Sequence, residues 1–185
     1  MKKIFALSGS TRTNSTNWKI LMLVAEHYKE HVSIEIYNDL DKLPHFDPNL
    51  KGENIPPIVH EYFEKIKTAD GFLICSPEYV FSPPAVLKNA LEWTVSETIL
   101  SYKPTALIVA SGIGEKTFES LDLILKTLLQ EEIPAASKLL IQGARSKINA
   151  DGKFLDEQTF TEIKSVVNSL LKTIEYKNHV YTGTN

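Results

Sequence analysis

Cysteine is almost missing from this chain: Cys75 is the only one in 185 residues. A lone thiol excludes an internal disulfide and fits a reducing compartment, so the cytoplasm is expected. Cys75 lies inside the apolar run "GFLICSP" and reads as a small buried hydrophobe of a strand, not as a reactive thiol. No Cys–His metal spacing exists, and "HEYFE" at His60–Glu64 lacks the second histidine of a zinc-protease helix, so no metal site is expected. Long apolar runs are missing too, with nothing near the ~18 residues of a membrane span. "MKKIFAL" opens with two lysines, as a secretory signal does, but its apolar run is only Ile4–Leu7. A signal core needs roughly 7–15 such residues. There is no basic block, and a formal net charge of −3 gives no pull toward nucleic acid. Neither nucleic acid nor a membrane is an expected partner.

What is present is an ordinary globular composition, 43% hydrophobic and 23% charged, enough for one compact domain over residues 1–185. Short apolar runs at Ile4–Leu7, "GFLICSP", "TALIVAS" and "SKLLIQG" read as strands buried on both faces. "VSIEIYN" alternates as a half-buried strand does. Helical spacing falls between them, over Ser15–Lys29, Ile58–Thr68, Val86–Val95, Phe118–Leu129 and Phe160–Ile174. "DKLPHFDPNLKGENIPP", with four prolines, is a loop, and the tail "EYKNHVYTGTN" has no clear pattern. Strand and helix alternate, which predicts an α/β, doubly wound, five-stranded parallel sheet with helices on both faces. Ligands of such sheets bind beyond the carboxyl ends of the strands. That directs attention to "SGSTRTNST", "SPEYVFSPP" and "SGIGEK".

The first of these loops is crowded with hydroxyls. Ser10, Thr11, Thr13 and Ser15 surround Arg12, and a helix follows whose first N–H groups lack partners. Such a helix start suits a phosphate. The alternative is that Asn14 or Ser15 merely caps the helix. The position after the first strand favours phosphate. Glycine is too sparse for the known nucleotide loops: neither G-x-x-x-x-G-K-[ST] nor G-x-G-x-x-G is present.

The second loop carries a resemblance. Pro77, Glu78, Tyr79, Ser82, Pro84, Leu87, Lys88, Asn89, Glu92 and Trp93 fit the signature of the NAD(P)H-dependent FMN reductase family, which is flavodoxin-like. Gly9, Ser10, Arg12, Ser15 and Asn17 fit the family's first loop, and "LPHFDPNL" resembles its Leu-Pro-aromatic-Asp segment. The likeness implies an FMN-dependent oxidoreductase that takes hydride from NADH or NADPH and serves a small acceptor: a flavin, quinone, azo compound or metal oxyanion. It implies that Ser10, Arg12, Ser15, Thr16 and Asn17 hold the FMN phosphate. Pro77, Glu78, Tyr79, Val80 and Phe81 would face the flavin ring, and Ser111, Gly112 and Gly114 would close its other side. It also implies a homodimer or homotetramer, built partly through the helix that starts near Val86.

Three positions depart from the family pattern. Val80 and Phe81 stand where it has Asn and a small residue, and Ala85 where it has Gly. Val80 cannot donate a side-chain hydrogen bond to the ring edge, and Phe81 adds bulk where acceptors must stack. Two rivals use the same fold: a flavodoxin-like electron carrier, usually far more acidic than −3, and a flavin-free interaction protein. Hydride transfer between two rings needs no protein acid or base, and no catalytic side chain is expected. The adjacent Glu131 and Glu132 point to different helix faces and form no pair.

Overall fold

The computed structural model describes residues 1–149 and 154–182. Five strands alternate with helices: β1 (Lys2–Ser8), α1 (Thr16–Tyr28), β2 (Val32–Tyr37), α2 (Pro57–Thr68), β3 (Gly71–Ser76), α3 (Ala85–Trp93), β4 (Thr105–Ala110), α4 (Glu115–Leu129), β5 (Lys138–Ile141) and α5 (Glu157–Thr182). The sheet order is β2-β1-β3-β4-β5, and every pairing is parallel. This is the flavodoxin-like arrangement, whose switch point lies between β1 and β3. Register there pairs Leu7 with Ile74, and Ile74 in turn with Leu107.

The strand alternation divides the core in two. Phe5, Leu7, Phe72, Ile74, Leu107 and Val109 pack beneath α2, α3 and α4. Ile4, Ala6, Leu73, Cys75, Ile108 and Ala110 pack beneath α1 and α5. Both faces of β1, β3 and β4 are therefore dry, which is why these strands read as unbroken apolar runs.

Asn89 and Trp93 anchor the proline-rich loop. Asn89 Oδ1 accepts the Phe46 N–H at 2.8 Å, its Nδ2 donates to Pro44 O, and Trp93 Nε1 donates to the same carbonyl at 2.8 Å. No described helix is long and apolar enough to cross a membrane.

Three boundaries differ from the expectation. α3 stops at Trp93, short of Val95. α4 starts at Glu115, earlier than Phe118, because Gly114 enters it at φ 88° and a carboxylate from another loop caps it. α5 continues past Ile174 to Thr182, through most of the patternless tail. Its last turns bury no apolar stripe, so periodicity cannot reveal them. Polar contacts hold that segment instead: Lys177 pairs with Glu131 and donates to Tyr102 O, and Glu175 pairs with Lys2. Gly183–Asn185, the end of the tail, lie outside the described residues.

Candidate active site

Gly9 brings the β1 exit against the end of β3. Its N–H donates to Cys75 O at 2.8 Å, and a Cβ there would lie 2.6 Å from Ser76 Oγ. The chain then turns over Ser10, whose hydroxyl accepts the Arg12 N–H and shares a hydrogen bond with Tyr79 Oη at 3.2 Å. The first two loops are thereby joined.

The first loop caps its helix and leaves further helix donors open. Ser15 Oγ accepts the Trp18 N–H at 3.1 Å, an N-cap that satisfies one helix donor. The N–H groups of Thr16 and Asn17 find no acceptor among the described residues and face a cavity. The Asn17 side chain already has partners. It donates to Ala110 O and accepts from Cys75 Sγ, both at 3.2 Å, so only its backbone is free for a ligand. Burial pushes the Cys75 thiol far up, which keeps it protonated and inert.

The cavity, of about 610 Å³, opens beyond the carboxyl ends of β1, β3, β4 and β5. Ser10, Arg12, Ser15, Thr16 and Asn17 form one wall, and Pro77, Glu78 and Tyr79 a second. Ser111 and Gly112 contribute a third, where a Cβ added at Gly112 would meet nothing within 4 Å. Glu78 spends its charge on the scaffold. Its carboxylate accepts the backbone N–H groups of Gly114 at 3.2 Å and Thr117 at 2.9 Å, capping α4. Its own N–H donates to Ser111 Oγ at 3.2 Å.

Val80, Phe81 and Gly114 stand outside the cavity wall. Gly114 is the entry to α4; a Cβ there would meet Leu140 Cδ1 at 2.9 Å. Val80 and Phe81 form the tip of a two-residue hairpin closed by the Tyr79–Ser82 backbone pair at 2.9 and 3.1 Å. Both have positive φ, 52° and 58°, and both are exposed, at 92% and 68%. Asn and Gly are the residues that favour this type I′ arrangement. The departure from the family pattern is thus a strained turn carrying apolar side chains into solvent.

A fourth wall was not expected. Gly143, Ala144, Arg145 and Ser146, on the turn after β5, also line the cavity. The chain has 20 lysines and arginines, of which only Arg12 and Arg145 are arginines, and both are here. That scarcity is the signal in the sequence that could have pointed to this turn.

A family model for NADPH-dependent FMN reductases matches residues 2–135. An NAD(P)H-dependent FMN reductase of Pseudomonas aeruginosa is 29% identical over 172 residues, covering 91% of this chain and 92% of that protein. An NADPH:quinone oxidoreductase of Arabidopsis thaliana is 31% identical over 175 residues, covering 91% of this chain and 89% of that protein. Among solved structures, the flavoenzyme FerB from Paracoccus denitrificans, an NAD(P)H:(acceptor) oxidoreductase, superposes with a TM-score of 0.77. Its identity is 23%, a likeness of fold, over 95% of this chain and 98% of that one.

Proposed function

The chain belongs to the NADPH-dependent FMN reductase family, and we propose that it holds FMN in the cavity described above and passes electrons from NADH or NADPH to a small acceptor such as a quinone. One observation carries the reading: the unclaimed N–H groups of Thr16 and Asn17, at the start of a 13-residue helix, share a wall with Arg12. The helix dipole, two N–H donors without an acceptor among the described residues and a guanidinium, beside the Ser10 hydroxyl, make a donor set that fits a phosphate. The cavity volume is in the ordinary range for a cofactor site.

Held by Arg12, Ser10 and the start of α1, FMN would supply the redox chemistry that links nicotinamide to acceptor. The protein's own part is positioning. Ser10 fixes the Tyr79 hydroxyl, which sets the aromatic ring at the cavity mouth. Glu78 locks the β3 and β4 loops at a fixed separation, so the space between them is set before any ligand enters. Gly112 leaves its wall without a side chain, where a flat ring system needs close backbone approach. No acid or base is assigned.

The whole chain acts as one domain, and a reducing cytoplasm suits its lone buried thiol. Its assembly is a homodimer or homotetramer. α3 buries Leu87, Ala90, Leu91 and Trp93 within its own subunit, so the partner face lies at the groove between α3 and α4.

The test is a titration of the purified protein with FMN and riboflavin, followed by NADH and NADPH oxidation with a quinone. FMN is expected to bind more tightly than riboflavin, and the quinone to accelerate nicotinamide consumption. Equal affinity for the two flavins defeats the phosphate assignment, and FMN binding without nicotinamide oxidation makes the protein an electron carrier.

A further inference from the structure

We propose that Arg145 is a second arm of the phosphate site: from the turn after β5 it meets the phosphate monoester held by Arg12 and the start of α1, and so strengthens the selection of FMN over riboflavin. This rests on the FMN reading above. Arg145 lies beyond residue 135, where the family match ends, so membership of the family does not assign it.

Arginine usage is the first argument. The chain builds its surface from lysine, and among the described residues every ion pair uses a lysine. Its only two arginines line one cavity, and neither guanidinium has a hydrogen bond or ion pair among the described residues. Arginine differs from lysine in its planar fork, which matches phosphate oxygens two at a time. Two unpaired forks at one cavity, on a chain that otherwise uses lysine, point to an anion that both address.

Placement is the second argument. Gly143 N donates to Gly112 O at 3.1 Å and Ala144 N to Ser111 O at 3.0 Å. The Asn17 side chain, at the start of α1, donates to Ala110 O at 3.2 Å. The β5 turn is therefore tied to Ser111 and Gly112, and the α1 start to the adjoining Ala110. Lys19 Nζ also donates to Asn149 O at 3.4 Å, a second tie between α1 and the segment after Arg145. Arg145 thus lines the same cavity as the phosphate donors, on a turn tied to the strand end that the α1 start also bonds.

Charge is the third. A phosphate monoester carries about −1.5 to −2 at pH 7, more than one guanidinium neutralises. Two arginines match it, whereas riboflavin offers neither arm anything. The 2′-phosphate of NADPH is the other monoester that could reach this arm, and the experiment separates the two sources.

Apoprotein of the full chain is titrated with FMN and with riboflavin by flavin fluorescence, at low and moderate salt. The proteins are wild type, Arg12→Gln, Arg145→Gln and Arg145→Lys, with melting curves to confirm folding. Arg145→Gln is expected to weaken FMN by roughly tenfold or more, the range for losing a charge-assisted bond. Riboflavin affinity stays unchanged, the salt dependence of FMN binding shrinks, and Arg145→Lys recovers part of the loss. The proposal is overturned if FMN affinity is unchanged, if both flavins lose equally, or if the only effect is a raised KM for NADPH with NADH unaffected. Wild type that does not bind FMN defeats the functional reading itself. Binding that Arg12→Gln weakens and Arg145→Gln does not defeats this inference alone.

Discussion

The Glu78 carboxylate accepts the backbone N–H of Thr117 at 2.9 Å, across two loops of the sheet's carboxyl edge. With its second bond to Gly114 N, it replaces the N-cap side chain that α4 lacks, since a glycine occupies the cap position. A residue in the middle of a family signature is thus a strut between the β3 and β4 loops. Its negative charge also suits the positive end of the α4 dipole.

Glu78→Ala removes both acceptors and is expected to cost about 2 kcal/mol of stability, the sum of a lost cap and charged hydrogen bonds. Glu78→Gln keeps one carbonyl but turns an amide donor toward another donor, so it should fall between. FMN affinity should drop in the same order, because the two walls are no longer held together. Urea unfolding of the three proteins checks it; an Ala variant as stable as wild type defeats the strut.

The hairpin tip gives an opposite sign. Non-glycine residues in the left-handed region cost roughly 1–2 kcal/mol each, and β-branched valine is among the worst suited to it. Val80→Asn with Phe81→Gly should therefore stabilise the protein by about 1–2 kcal/mol, raising Tm by a few degrees for a chain of this size. Phe81 is 68% exposed and outside the cavity wall, so Phe81→Gly should leave the rate ratio between a small quinone and a bulky azo dye unchanged. A shift of that ratio toward the dye shows Phe81 beside the stacking face.

Much of this was legible in the sequence, and what was not has physical reasons. Strands buried on both faces announce themselves as apolar runs, so the sheet and the three loops at its edge could be found. Side-chain direction could not. Asn17 and Glu78 belong to recognisable motifs, yet each turns its polar atoms toward backbone groups of β4 or α4 that only the folded chain brings near. The exposed end of α5 has no apolar stripe to read. Arg145 sits on a turn with no family motif, and only its rarity as an arginine marks it.

Tyr62 sits under the aromatic cluster of Phe5, Tyr37 and Phe63, fully buried, and its hydroxyl has no hydrogen-bond partner among the described residues. Burial pushes its ionisation far up, and Tyr37 beside it is raised to about 12, by burial first and then by Asp39, Glu61 and Asp41. A folded-state value above the unfolded one means stability is intact below about pH 10 and is lost as pH rises through the folded value. Each tyrosine should contribute about 1.4 kcal/mol of loss per pH unit in that window. Tyr62→Phe removes one such contribution together with an unsatisfied buried hydroxyl, and should stabilise by about 1 kcal/mol at neutral pH. Unfolding curves at pH 7, 10 and 11 test both parts; a destabilised variant at pH 7 means the hydroxyl has a partner, such as water.

The remaining prediction concerns assembly. Between α3 and α4 runs a groove whose wall includes Leu91, Val95, Leu123, Ile124 and Leu128, with Lys88 and Glu92 along its edge. Leu123, on α4, is 67% exposed, and Val95, just beyond the end of α3, is 54% exposed. Lys88 and Glu92 pair with each other across one helical turn, so a partner need not neutralise either. An apolar strip with its flanking charges already paired is the composition expected at the centre of a subunit interface. A second copy laying the same strip against this one would bury Leu123 and Val95 on both sides in an isologous contact. Leu123→Glu places a charge at the middle of that contact and leaves the monomer fold untouched, because the side chain is exposed there. Light scattering at micromolar concentration should give a multiple of the monomer mass for wild type and a lower mass for the variant, with matching circular dichroism. Wild type at the monomer mass counts against the assembly, and an undiminished mass for Leu123→Glu places the interface elsewhere.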